Sequence, residues 1–114
     1  MKKLKLEMIV ERGEDNLTGR VTINDNLIVE NADNVNDLEE KLKLLLFEFE
    51  NVKPESVEFE HLYDVYALFN QFDFLNIGKV ADRAGINAGL LRQYASQVKC
   101  PSAKQAQKIE QTIS

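Results

Sequence analysis

The chain has 114 residues, 44% of them hydrophobic and 29% charged, and a formal net charge of −5. That is enough material for one domain of ordinary size or two very small ones, and the composition excludes a disordered chain. One Cys and one His exclude an internal disulfide and the usual zinc spacings, so neither a metal nor a cofactor is expected.

The first residues, MKKLKLEMIV, begin with positive charge, but Glu7 and Glu11 interrupt any apolar stretch and no small-residue cleavage site follows, which argues against a signal peptide. The run LLLF, Leu44 to Phe47, is far too short to cross a bilayer, and a reducing cytoplasm is the expected compartment. Charge is uneven along the chain. Residues 1–70 hold eight Lys and Arg against sixteen Asp and Glu, a balance of −8, whereas residues 71–114 hold six against three, a balance of +3. The contrast predicts two domains, an acidic one over 1–63 and a basic one over 64–114.

In KLKLEMIVER, Leu4, Leu6 and Met8 alternate with Lys3, Lys5 and Glu7, the period of a half-buried strand. The loop GEDN leads to LTGRVTI, and NDN leads to LIVEN, so three strands joined by Gly, Asn and Asp turns predict an antiparallel meander. The period then changes. Leu38, Leu42, Leu45, Leu46 and Phe49 form a helical apolar stripe in NVNDLEEKLKLLLFEFEN, and Asn36 with Glu39 three residues later resembles a capping box. Beyond Pro54, SVEFEHLY alternates again at Val57 and Phe59 and predicts a fourth strand. The remainder is helical by pattern: DVYALFNQF (64–72), NIGKVADRAG, NAGLLRQYAS and SAKQAQKIEQTI. Segments this short need one another to be stable, so they should pack as a small bundle. The expected class is α+β, an antiparallel βββαβ domain followed by a small all-α domain.

The stretch VADRAGINAGLLRQYAS meets the steric requirements of a helix-turn-helix. Ala81 lets a second helix approach closely, and Gly85, four residues on, can take the positive φ that starts the turn. Val80, Ala84, Ile86, Leu91 and Tyr94 supply the shared core, and Asn87 is placed to cap the second helix. From VADRAG through VKCPS to the last helix, residues 72–113 resemble the Cro and lambda-repressor class of helix-turn-helix domains. The resemblance implies that Ala88 to Ser96 is a recognition helix.

On such a helix the outward positions are Asn87, Ala88, Gly89, Arg92, Gln93 and Ser96. Ala88 and Gly89 offer no side-chain hydrogen bond, so base readout leans on Arg92 and Gln93, which suit guanine and adenine edges. Asn76, Lys79, Lys99, Ser102, Lys104 and Gln105 lie near helix starts or in the loop after the recognition helix, where phosphate contacts are made. One such reader covers too few base pairs to be specific, so a homodimer or higher assembly on an inverted repeat of double-stranded DNA is expected.

The order strand, strand, strand, helix, strand ahead of a small DNA-binding domain resembles the HicB-type antitoxins of bacterial toxin–antitoxin operons. The resemblance implies a partial RNase H-like domain without nuclease function that neutralises a small basic RNA-cleaving toxin of the HicA type, while the C-terminal domain represses the operon. The chain departs from the family around the third strand, where NDNLIVENADNVNDLEE lacks the Pro and Gly often found there, so in this half the likeness rests on element order and size. A stand-alone transcriptional regulator whose acidic domain dimerises or senses a ligand is the alternative. Glu7, Glu11, Asp25 and Asp33 are spread along the acidic half without the tight constellation of a nuclease, and no catalytic residue is expected.

Overall fold

A computed structural model describes residues 3–66, 69 and 76–113. It is mixed α+β, and among the described residues it comprises a four-stranded sheet and four α-helices. The strands are β1 (Leu4–Arg12), β2 (Leu17–Ile23), β3 (Asn26–Ala32) and β4 (Val57–Tyr63). The helices are α1 (Val35–Glu50), α2 (Ile77–Ala84), α3 (Ala88–Ala95) and α4 (Ala103–Ile113). The chain divides into two compact units, Met1–His61 and Leu62–Ser114, and the division falls inside β4. Most of the helix expected over 64–72 lies outside the described residues. Among the described residues no helix is long and apolar enough to cross a membrane.

In the first unit the sheet order is β3-β2-β1-β4, with β1–β2 and β2–β3 antiparallel. Asn24 and Asp25 form the β2–β3 turn, both at positive φ (49° and 66°), and Ile23 pairs with Asn26 across it. Two left-handed residues in a two-residue loop are the geometry whose twist matches that of the strands it joins. β3 therefore begins at Asn26, one residue earlier than the alternation alone suggests.

The chain then crosses one face of the sheet as α1 on its way from the β3 edge to the β4 edge. Leu38, Leu42 and Leu46 are fully buried, at steps of four, beneath Met8, Val10, Val21, Ile28, Ala32 and Val57 from the sheet. Gly19, level with Val10 and Glu30, is the contact point: a Cβ there would sit 2.6 Å from a methyl of Leu38. Phe49, expected in the buried stripe, is 72% exposed. It lies in the last turn of α1, in an open groove that it lines with Leu27, Ile28 and Val29 of β3. The cap is also displaced from its expected position. Asn34, not Asn36, begins the helix, its Oδ1 accepting from the Asp37 amide at 2.8 Å and its Nδ2 donating to the Asp37 carboxylate at 3.1 Å. His61 on β4 bonds Glu39 on α1, pinning the other side of the helix.

The second unit is built from short helices, so no single one supplies the core. Val65 and Phe69, Val80, Ala81 and Ala84 of α2, Ile86 of the turn, Leu91 and Tyr94 of α3, and Ala106 and Ile109 of α4 form one buried cluster. Leu62 and Tyr63 tie the start of this unit to the segment before α4, through a bridge to Ser102 and a bond from the Tyr63 amide to the Pro101 carbonyl at 2.7 Å.

Candidate nucleic-acid interface

The joint between α2 and α3 is assembled from four backbone devices. Asn76 caps α2, its side chain accepting from the Lys79 amide at 3.2 Å. α2 ends at Gly85 (φ 71°), whose amide and that of Ile86 both bond the Ala81 carbonyl. A Cβ on Gly85 would meet nothing within 4 Å, so glycine is required there by the backbone angle and not by space. Gly85 is exposed and starts the turn, apart from the buried residues of the joint. Ile86 then turns inward and Asn87 caps α3, its Oδ1 accepting from the Gly89 and Leu90 amides at 2.9 and 3.2 Å.

Gly89 is held small by its neighbour. A Cβ there would lie 3.0 Å from the capping oxygen of Asn87, so a side chain would press on the cap. Ala88 is half-buried against the helical core, which removes it from the outward face where it was expected. Leu91 is fully buried and Tyr94 nearly so. The exposed face of α3 is thus Gly89, Arg92, Gln93 and Ser96, with Asn87 at its head. Ser96 is also committed locally: its hydroxyl donates to the Arg92 carbonyl at 2.9 Å, closing the helix end and weakening its expected place among base readers. The side chains left with donors and acceptors for a ligand are Arg92 and Gln93, adjacent in sequence and both exposed, and the amide NH2 of Asn87.

After α3 the chain reverses through Gln97 at φ 64°, and the Val98 and Lys99 amides both bond the Gln93 carbonyl, at 2.9 and 3.2 Å. The Gln97 side chain donates to Asp64 at 2.9 Å, and the same carboxylate accepts from the Tyr66 amide at 3.0 Å. This anchors the loop that carries exposed Lys99. At the start of α4, Ser102 offers its carbonyl to the Ala106 amide at 2.9 Å and its hydroxyl to the Gln105 amide at 3.4 Å; Lys104 is exposed and Gln105 half-buried.

Two exposed cations fall outside the sequence-derived set, Arg83 on α2 and Lys108 on α4. Each lies four residues after a member of that set, Lys79 and Lys104, and so on the same helix face, a spacing visible in the sequence. Together with Arg92 and Lys99 they give the described part of this unit six cations.

The acidic residues of the first unit do not converge. Asp25 and Asp33 flank β3, whose seven residues put them on the order of 20 Å apart. Among the described residues no group of three His, Cys, Asp or Glu side chains could hold a metal ion. The chain matches no family model, no curated protein and no solved structure.

Proposed function

We propose that this chain is a HicB-like antitoxin that binds double-stranded DNA through a helix-turn-helix formed by α2 and α3, represses its own operon, and neutralises a small basic RNA-cleaving toxin through its acidic unit. The observation that carries the DNA reading is the α2–α3 joint: a left-handed Gly85, buried Ala81 behind it, an Asn87 cap, and Arg92 with Gln93 exposed on the helix that follows. Arg92 donates to guanine and Gln93 serves adenine, while Lys79, Lys99 and Lys104 contact phosphates. Gly89 permits close approach of the helix N-terminus to the duplex.

The toxin reading rests on charge and on element order. A balance of −8 over residues 1–70 favours encounter with a basic partner and disfavours non-specific DNA, leaving the +3 segment to make the specific contacts.

Selection of bound duplexes from a random pool, followed by fluorescence anisotropy of wild type and Arg92→Ala, tests the DNA reading. Enrichment of an inverted repeat with half-sites about 34–36 Å apart is expected. Arg92→Ala should lose about 1–3 kcal/mol of discrimination at particular bases. Failure to enrich any sequence, with only weak salt-sensitive binding, would refute it. For the acidic unit, the full chain should suppress RNA cleavage by a HicA-type toxin, and undiminished cleavage at saturating chain would remove the antitoxin role.

A further inference from the structure

The loop from α3 to α4 is held at three points by residues 62–66, which precede the helix-turn-helix in the chain. Leu62 forms an antiparallel bridge with Ser102. The Tyr63 amide donates to the Pro101 carbonyl at 2.7 Å. The Asp64 carboxylate accepts from Gln97 Nε2 at 2.9 Å through one oxygen and from the Tyr66 amide at 3.0 Å through the other. The first two contacts fix the end of the loop next to α4, and the third fixes its start next to α3. Exposed Val98 and Lys99 lie in the span between them.

Gln97 makes its contact from a backbone that does not suit it. At φ 64° a glycine or asparagine is favoured, and a longer side chain costs free energy. The bond to Asp64 offsets part of that cost and sets the direction in which the chain leaves α3. The Val98 and Lys99 amides then both bond the Gln93 carbonyl, at 2.9 and 3.2 Å. The path taken at Gln97 therefore fixes where the Lys99 side chain starts, beside the main chain of Gln93.

We propose that Asp64 and Gln97 are positioning residues for DNA binding: they touch neither base nor phosphate, and they hold Lys99 where it meets a backbone phosphate next to the Gln93 contact. The inference rests on the DNA reading above and makes a carboxylate one of the determinants of binding to a polyanion. By its charge alone Asp64 repels a duplex, so a carboxylate with no other role gives tighter binding when it is removed. A carboxylate that holds Lys99 gives weaker binding. The sign of the effect separates the two roles. Asparagine keeps an oxygen for the Tyr66 amide, and its NH2 donates to the side-chain oxygen of Gln97 once that amide turns over, so Asp64→Asn retains both bonds without the charge.

Fluorescence anisotropy of the full chain on the duplex enriched by selection, from about 50 to about 200 mM salt, reads affinity and salt slope together. Lys99→Ala should weaken binding about eightfold at about 0.1 M salt and reduce the slope by about 0.9, as expected for one phosphate contact. Asp64→Ala and Gln97→Ala should each move both quantities the same way, and Asp64→Ala should add little once Lys99 is already Ala. Gln97 is exposed, so Gln97→Ala removes the bond with the core untouched. Asp64→Asn should bind at least as tightly as wild type. In the free chain, amide exchange at Val98 and Lys99 should quicken in Asp64→Ala and keep its wild-type rate in Asp64→Asn. If Asp64→Ala and Gln97→Ala bind as tightly as wild type or tighter, with the slope unchanged, the proposal is overturned and the DNA reading stands. Equal weakening by Asp64→Ala with and without Lys99 would also overturn it. A wild type that enriches no duplex sinks both.

Discussion

The two units bury their cores by different means. The sheet unit relies on one helix of sixteen residues, and three leucines spaced by four do most of its packing against a single sheet face. The helical unit has described helices of eight, eight and eleven residues, each adding two or three side chains to a shared cluster. A long helix carries its own periodic signal and tolerates an imperfect end, as the exposed Phe49 shows. Short helices are marginal alone, so their unit depends on caps and turns, at Asn76, Gly85, Asn87 and Gln97. The same dependence commits Asn87, Gly89 and Ser96 to the ends of α3 and leaves Arg92 and Gln93 as its exposed polar side chains, the readers proposed above.

The sharpest break of this comparison is Leu91→Ala. It empties the centre of a cluster that no single helix can rebuild and should cost about 2–5 kcal/mol. Residue-resolved amide exchange should show protection falling across Leu62–Ser114 and holding in Met1–His61. Gly19→Val attacks the other unit, because its added carbons collide with Leu38; a loss of about 1–3 kcal/mol is expected, with protection falling in β1, β2 and α1 instead. If either substitution lowered protection equally along the whole chain, the two units would be one cooperative body.

Smaller effects sharpen the contrast. Asn87→Ala and Asn34→Ala each remove a cap and should each cost about 1 kcal/mol in urea unfolding. Anisotropy should separate them further: loss of the Asn87 cap should weaken DNA binding, and loss of the Asn34 cap should leave it unchanged. Asp25→Gly relieves a left-handed non-glycine residue in the hairpin and should raise the urea midpoint, by less than about 1 kcal/mol.

Much of this was readable from pattern. The alternation of Leu4, Leu6 and Met8 marks a strand, of which Met8 is buried and Leu4 exposed, and the spacing of Leu38, Leu42 and Leu46 marks a helix that buries all three. What pattern misplaced were ends. Asn34 and Asn36 are both good caps, and the choice between them depends on where the chain leaves β3. Ala88 and Gly89 look alike as small outward residues, yet one packs on the core and the other clears a cap, a difference set by about 100° of rotation along the helix.

Periodicity and residue type alone determined the order of the described strands and α-helices, the charge contrast and the Gly85–Asn87 joint, because each depends on neighbours within a few positions in the chain. Pairing and packing decided the rest. The closeness of Gly19 to Leu38 follows from how the helix lies on the sheet, and the anchoring of the Lys99 loop from Asp64, thirty-three residues before Gln97. Such contacts join residues distant in sequence, and local propensity carries no information about them.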